Sequence, residues 1–455
     1  MVREALPSGT SIPPDWSAAA SANDVSDDWL KSFDDPGLDA VVAEAIANNL
    51  DLRQAAARVQ MARQVVVVVG ARLLPQVGAK IGAAVTRVDG DPSTFDSNLE
   101  YLGVAWEIDV WGRLRAQRAA AEAGSEATTL DYAFAGQSLA ATTAESWYLA
   151  IETRQLLGLA EQNVEVYTAL LDLVKVRRAA GRVADLDVAE ASANLNAAQS
   201  QLRSAQGNYS EARRNLEVLV GRYPAAELEV AENFAALPPP VQAGLPSSLL
   251  ERRPDIVASE QQVLAAFRSE EAAKLALLPS FALTLEGGRL SDHLLDVLRL
   301  NPWLIHAAIG LDVPIYTGGA LTAKIKIATA KQEQAVAQYG AVVLTAFNEV
   351  EGALTNQQLL AQRLPYQQDA LADRTEAVRI ARVKYKAGQI DMLSVLQLQE
   401  AQINSQADLI RLRNAQLANR IQLHLALGGR FDAQPAAPQQ VLAGPESTLG
   451  VKTTE

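Results

Sequence analysis

Cysteine is absent from this 455-residue chain. That removes disulfides, thiol nucleophiles, zinc–cysteine sites and iron–sulfur clusters together. Histidine is almost as scarce: His293, His306 and His424 stand far apart and without metal-ligand spacing. Aromatic residues stop at 5%. Basic charge is in deficit, 40 Lys and Arg against 53 Asp and Glu, and the net −13 argues against a nucleic-acid-binding surface. No run of about eighteen apolar residues occurs, because the tract Val65 to Val69 is soon interrupted by Gly70 and Arg72. A transmembrane helix is therefore not expected. The opening MVREALPSGTSIPPDW lacks a basic segment followed by an apolar one, so no signal peptide is read there. Taken alone, that favours a cytosolic protein, and it fits a mature form of an exported one equally well.

Alanine, glutamine, leucine and valine recur throughout instead. With 49% hydrophobic and 20% charged residues, the chain is expected to fold. Length alone allows two or three globular domains. The composition suits long packed helices. Nucleophile–base pairs, phosphate loops and metal clusters are missing from the sequence, so neither an enzyme nor a cofactor is expected.

Internal similarity changes the domain count. Asp51 in NNLDLRQAAARVQMA answers to Asp255 in RRPDIVASEQQVLAA, an offset of 204 that also places Leu73-Leu74-Pro75 on Leu277-Leu278-Pro279. Further on, AAGRVADLDVAEA from Ala179 matches KAGQIDMLSVLQL from Lys386 at an offset of 207. That register sets Leu216 on Leu423 and Gly221 on Gly428. The organisation reads as an extended N-terminal segment (1–35), a first repeat (36–236), a proline-rich linker (237–246), a second repeat (247–429) and a disordered tail (430–455). Each repeat runs helix, Leu-Leu-Pro, alternating segment, turn-rich loop, second alternating segment, then long helices. From Arg113 to Ala180 there is no proline and the glycines are Gly124, Gly136 and Gly158. A continuous helix of that length spans on the order of 100 Å. Heptad-like spacing at Leu186, Ala189, Ala193, Leu195 and Leu202 predicts an intramolecular coiled-coil hairpin.

Strands are expected at about 76–87, 99–110, 280–287 and 303–315. Val77, Ala79, Ile81, Ala83 and Val85 alternate with Gln76, Gly78, Lys80, Gly82 and Thr86; Leu102, Val104, Trp106, Ile108 and Val110 alternate with Tyr101, Gly103, Glu107 and Asp109. Phe281, Leu283 and Leu285, then Ile305, Ala307, Ile309, Leu311 and Val313, repeat the pattern. Each segment has the roughly ten residues a tilted strand needs to cross a bilayer. A soluble sheet packed on a core by one face is the alternative. The small, sparsely charged opposite face favours a wet lumen, and Trp106, Trp111, Trp303 and Tyr316, at or near strand ends, stand where the aromatic girdles of a membrane interface sit. Four strands cannot close a barrel and open edges cannot face lipid, so a membrane reading requires several chains to share one barrel.

Six segments in order carry a family resemblance: PPDW (Pro13 to Trp16), Asp27 to Leu52, WEIDVWGRLRAQ (Trp106 to Gln117), LLERRPDI (Leu249 to Ile256), VPIYTGGALTA (Val313 to Ala323), and the AG-containing turns at Gly181 and Gly388. The chain resembles the outer membrane factors of the TolC/OprM type, especially the NodT-like efflux subunits, from about Pro13 to Gly429. The resemblance implies a mainly α fold with a small transmembrane β-barrel, twelve-stranded and shared by a homotrimer. Below it would stand a periplasmic α-barrel with an equatorial belt. It implies the exit duct of a tripartite pump in the outer membrane of a Gram-negative bacterium, exporting drugs or other small toxic compounds. Its partners would be a periplasmic membrane-fusion (adaptor) protein and, through it, an inner-membrane transporter. A duct for metal-ion efflux or type I secretion, and a coiled-coil scaffold without a channel, remain alternatives. Many relatives carry a lipid on an N-terminal cysteine; either this sequence starts after that residue or this member lacks it.

The resemblance also places the site. The turns Ala180-Gly181-Arg182-Val183 and Ala387-Gly388-Gln389-Ile390 would form the periplasmic tip that contacts the adaptor, with Arg182 and Tyr385 holding it closed. Relatives carry a leucine and, four residues on, an aspartate at the lumen constriction. Here Leu393 fits, but Gln397 stands in the acidic position. Asp185, Asp187 and Asp391 are then candidates to carry the acidic character, or they are ordinary helix-end residues.

Overall fold

The computed structural model describes residues 12–17, 27–87, 94–241, 243–291 and 304–429. The tail at 430–455 and much of the N-terminal segment lie outside the described residues, as do His293 and Trp303. Elements repeat in order. α1 (Pro36–Asn48) and α2 (Leu50–Gly70) lead into β1 (Gln76–Arg87), β2 (Thr94–Ile108), α3 (Arg113–Ala179) and α4 (Asp185–Leu219). The second pass runs α5 (Pro246–Arg252), α6 (Pro254–Leu275), β3 (Ser280–Ser291), β4 (Leu304–Asp312), α7 (Ala320–Lys386) and α8 (Met392–Ala426). The lengths repeat as well: α3 and α7 have 67 residues each, α4 and α8 have 35. Among the described residues, no helix is long and apolar enough to cross a membrane.

The chain divides into two compact units, and each draws on both repeats. Among the described residues, one comprises 58–87, 94–130, 255–291 and 304–342; the other comprises 12–17, 27–57, 131–241, 243–254 and 343–429.

The first unit contains an antiparallel sheet in the order β1-β2-β3-β4, so the β2–β3 pairing joins the two repeats. Pairing rows sort the side chains, because directly opposed residues share a face. Val77, Val104, Leu285 and Ala307 form one row; Ile108, Phe281 and Leu311 form another. The opposite face holds the rows Gln76–Ala105–Thr284–Ala308 and Gly103–Glu286–His306. The apolar face is not packed on a core: Ile305 is 77% exposed and Ile309 76%. Strand ends differ from the alternation for physical reasons. β2 stops at Ile108 rather than 110 because Asp109 leaves the ladder to cap α3, its carboxylate accepting from Leu114 N (3.1 Å) and Arg115 N (3.0 Å). β4 stops at Asp312 rather than 315, just before Pro314, which has no N–H to give.

The second unit is held by a buried aromatic and polar core. Trp29 packs edge-on against Phe33 and stacks on His424 at 5.7 Å, and Phe33 lies 5.8 Å from Tyr148. Burial, with help from Arg420, keeps His424 neutral and pushes its pKa down to about 3. The arginine pair of LLERRPDI has separate duties. Arg252 reaches Asp27 at 2.8 Å, while the buried Arg253 pairs with Glu349 at 2.5 Å and lies over the Phe134 ring. Gly221 (φ +76°) and Gly428 (φ +67°) end the two return helices where a Cβ would meet Asn48 O at 3.0 Å and Arg252 backbone at 3.1 Å. Positive φ and close backbone approach both require glycine there.

Candidate functional site

Both hairpins turn by the same backbone motif. Gly181 (φ +69°) donates to Arg178 O and Arg182 N donates to Arg177 O; Gly388 (φ +77°) donates to Tyr385 O and Gln389 N to Lys384 O. These are Schellman closures, in which left-handed glycine lets the last helical carbonyls find donors. The turns are solvent-exposed apart from the half-buried Val183 and Ile390.

Beneath them lies a core of Tyr167, Leu170, Leu171 and Val174 from α3, Ala191 from α4, Ala381 and Tyr385 from α7, and Met392, Val395 and Leu396 from α8. Leu393 and Gln397 are exposed and four residues apart, so they share the face of α8 turned away from this core. At the offset of 207 their first-repeat counterparts are Leu186, 67% exposed, and the half-buried Glu190. The candidate acids Asp185 and Asp187 flank Leu186 in the sequence.

The three aspartates have helix-end partners. Asp185 forms an ion pair with Arg178. Asp187 accepts from Ala184 N at 2.9 Å, and Asp391 caps α8 by accepting from Ser394 N at 2.7 Å. Hydrogen bonds from Ser394 hold the Asp391 carboxyl below its ordinary pKa.

Tyr385 is buried, and Arg177 is its cationic neighbour. The Arg177 guanidinium donates to Tyr385 O at 2.8 Å and lies 4.4 Å over the Tyr385 ring. Arg182 is exposed on its turn. Arg177 thus ties the end of α3 to the turn of the second hairpin. Nothing in its local sequence marks it, since the partner lies 208 residues away.

At the other end of α3, the aromatics sit on the duplicated Leu-Leu-Pro motifs. Trp106 Nε1 donates to Leu73 O at 3.0 Å, and Trp111 Nε1 donates to Pro279 O at 2.7 Å. Tyr316 is 89% exposed. Glu107 and Asp109, between the tryptophans, pair with Arg113 at 2.5 Å and Arg115 at 3.2 Å just beyond them. Burial opposes charge on Asp109, but its backbone and Arg115 hydrogen bonds outweigh that and lower its pKa. WEIDVWGRLR is therefore a strand-to-helix joint, with Gly112 (φ +85°) supplying the bend. Among the described residues, no group of His, Asp and Glu could hold a metal ion.

The chain matches the family described as outer membrane efflux protein over residues 41–222 and 245–429. It is 33% identical over 444 residues to the pyoverdine export outer membrane protein OpmQ of Pseudomonas aeruginosa, covering 94% of this chain and 93% of that one. It is 30% identical to the probable efflux pump outer membrane protein TtgC of Pseudomonas putida, over 95% and 91% of the two chains. Among solved structures, the outer-membrane channel OprN superposes with a TM-score of 0.85 at 25% identity, covering 93% and 98% of the chains. A CusC structure gives 0.80 at 26%, covering 92% and 100%.

Proposed function

The chain belongs to the outer membrane efflux protein family, and from that premise we propose that it is the exit duct of a tripartite pump, three copies closing one twelve-stranded barrel. As a member it is an outer membrane protein with mostly periplasmic helical mass, which sets aside the cytosolic reading of its N-terminal sequence. The observation that carries the trimer is the sheet. Among the described residues it has four strands, an unpaired edge on β1 and on β4, and an apolar face left uncovered. Open strand edges cannot face lipid and a bare apolar face does not suit water; a barrel closed with other copies pairs the edges and turns the apolar face to the membrane.

The turns at 180–183 and 387–390 would meet the adaptor, and Leu393 with Gln397 would narrow the lumen, since both face away from the protomer's core. Cargo would be small organic compounds. The relatives' names span pyoverdine, cations and toluene, which fits a duct whose pump partner makes the selection. Purified chain in detergent should have the mass of three copies and give discrete conductance in planar bilayers. Leu393→Ala with Gln397→Ala should raise that conductance. A monomer, or a trimer with no conductance, would leave the scaffold reading in its place.

A further inference from the structure

Two cavities with a shared cationic edge and apolar walls adjoin the end of the sheet, the first also lined by Trp106 and Leu283. Gln76, Ala105 and Thr284 form one pairing row and Glu107 with Ala282 another, all on the face opposite Val77 and Leu285. These five residues border a cavity of about 510 Å³ that is also lined by Arg72 and Arg113. Arg72 and Arg113 line a second cavity as well, about 480 Å³, with Lys324 on α7 and Gln117 and Ser269 beside it. The helix-side walls are apolar, including Val68 and Leu74 in the first cavity and Leu321 in the second. Both volumes lie within the ~300–1,000 Å³ range of small-molecule sites.

Charge decides what such a recess accepts. Its ionic lining is three cations and one carboxylate, in a chain whose net charge is −13. Glu107 is engaged by Arg113 at 2.5 Å. Arg72 and Lys324 make no ion pair with any described residue. Two uncompensated cations above apolar walls match an organic anion, whose charged end they would bind and whose hydrocarbon part the walls would cover.

We propose that Arg72 and Lys324, beside the paired Arg113, form a binding site for organic anions with an apolar body in the second cavity, which residues of α2, α3, α6 and α7 line next to the sheet. The proposal deepens the duct reading by naming a cargo class, and it rests on that reading for the route, not for the binding.

Calorimetric titration of the purified full chain with 1-naphthalenesulfonate, and with the 1-naphthyltrimethylammonium cation of the same ring, tests it. The anion should bind saturably and the cation at least about tenfold more weakly, and Arg72→Gln with Lys324→Gln should weaken the anion about tenfold. The charge-keeping pair Arg72→Lys with Lys324→Arg should retain the anion, which separates lost charge from lost folding. Equal binding of both probes, or undiminished anion binding in the Gln pair, overturns the site. Sulfate binding as tightly as naphthalenesulfonate overturns the role given to the walls. Conductance of the unaltered chain is measured separately. A conducting chain that binds both probes alike loses the site and keeps the duct, and a chain that binds the anion without conducting keeps the site and loses the duct.

Discussion

The two hairpins share element lengths and a turn motif, yet they hold their return helices differently. Along α4 the buried residues are Ala191, Ala205, Ala212, Leu216 and Glu217, mostly small. Along α8 they include Met392, Val395, Leu396, Leu412, Leu417 and Ile421. One buried position carries Ala205 in the first repeat and Leu412 in the second. α8 is also laced to α7: Arg374 donates to Ala401 O at 2.9 Å, Gln367 to Ser405 O at 3.2 Å and Asn419 to Ala353 O at 3.0 Å. Between α3 and α4, the ion pair Arg178–Asp185 sits at the turn itself. Duplication preserves what a few residues determine, such as a glycine turn or a helix end. Packing depends on many side chains, and here it has diverged so that α8 is a strut and α4 is lightly held.

The largest test of that difference truncates the same register position in each repeat. Ile421→Ala, at a fully buried position, should cost about 2–5 kcal/mol. Arg214→Ala, the exposed counterpart at the same register, should stay within about 0.5 kcal/mol. Thermal melts of the purified chain check both, and equal losses would erase the strut and its lighter partner. Next in size is the tie between hairpins. Arg177→Gln replaces the guanidinium that reaches Tyr385 O and its ring with a shorter neutral amide and should cost roughly 1–2 kcal/mol, with faster hydrogen exchange at Gly388 and Gln389. Arg182→Ala should leave exchange at both amides as it was. If the Arg182 variant alone speeds them, the tie lies where the sequence reading put it.

Much of this architecture is legible in the residues because its determinants are local. Alternation marks the strands, and glycine in an Ala-Gly turn marks the Schellman closures at 181 and 388. The offset of 207 fixes the register of the return helices. What the sequence hid depends on partners outside the element that carries the residue. Arg177 finds Tyr385, Trp111 finds Pro279, and Glu217 accepts three backbone N–H groups from Ala226, Glu227 and Leu228 at 2.6–2.8 Å. Nor does the sequence show that one return helix is packed with leucines against its neighbours while the other relies on alanines, since both read as the same heptad-like helix.

The smallest effect divides the two turns at their caps. Asp391 occupies the N-cap of α8 and accepts from Ser394 N; the equivalent place at α4 is Ala184, where Asp187 supplies the reverse bond by accepting from Ala184 N. Each repeat thus keeps half of a capping arrangement. Asp391→Ala should lower the melting temperature slightly, and Ala184→Asp should raise it by less, because the new carboxylate would stand beside Asp185 and Asp187. The pH dependence has a definite sign. The Ser394 bonds lower the folded pKa of Asp391, so its stabilisation is complete above the unfolded value of ~3.9 and is lost as pH falls through the folded value. The melting difference between the parent chain and Asp391→Ala should therefore be present near neutral pH and vanish well below that value. A difference that persists in acid would mean that Asp391 acts through something other than its carboxylate.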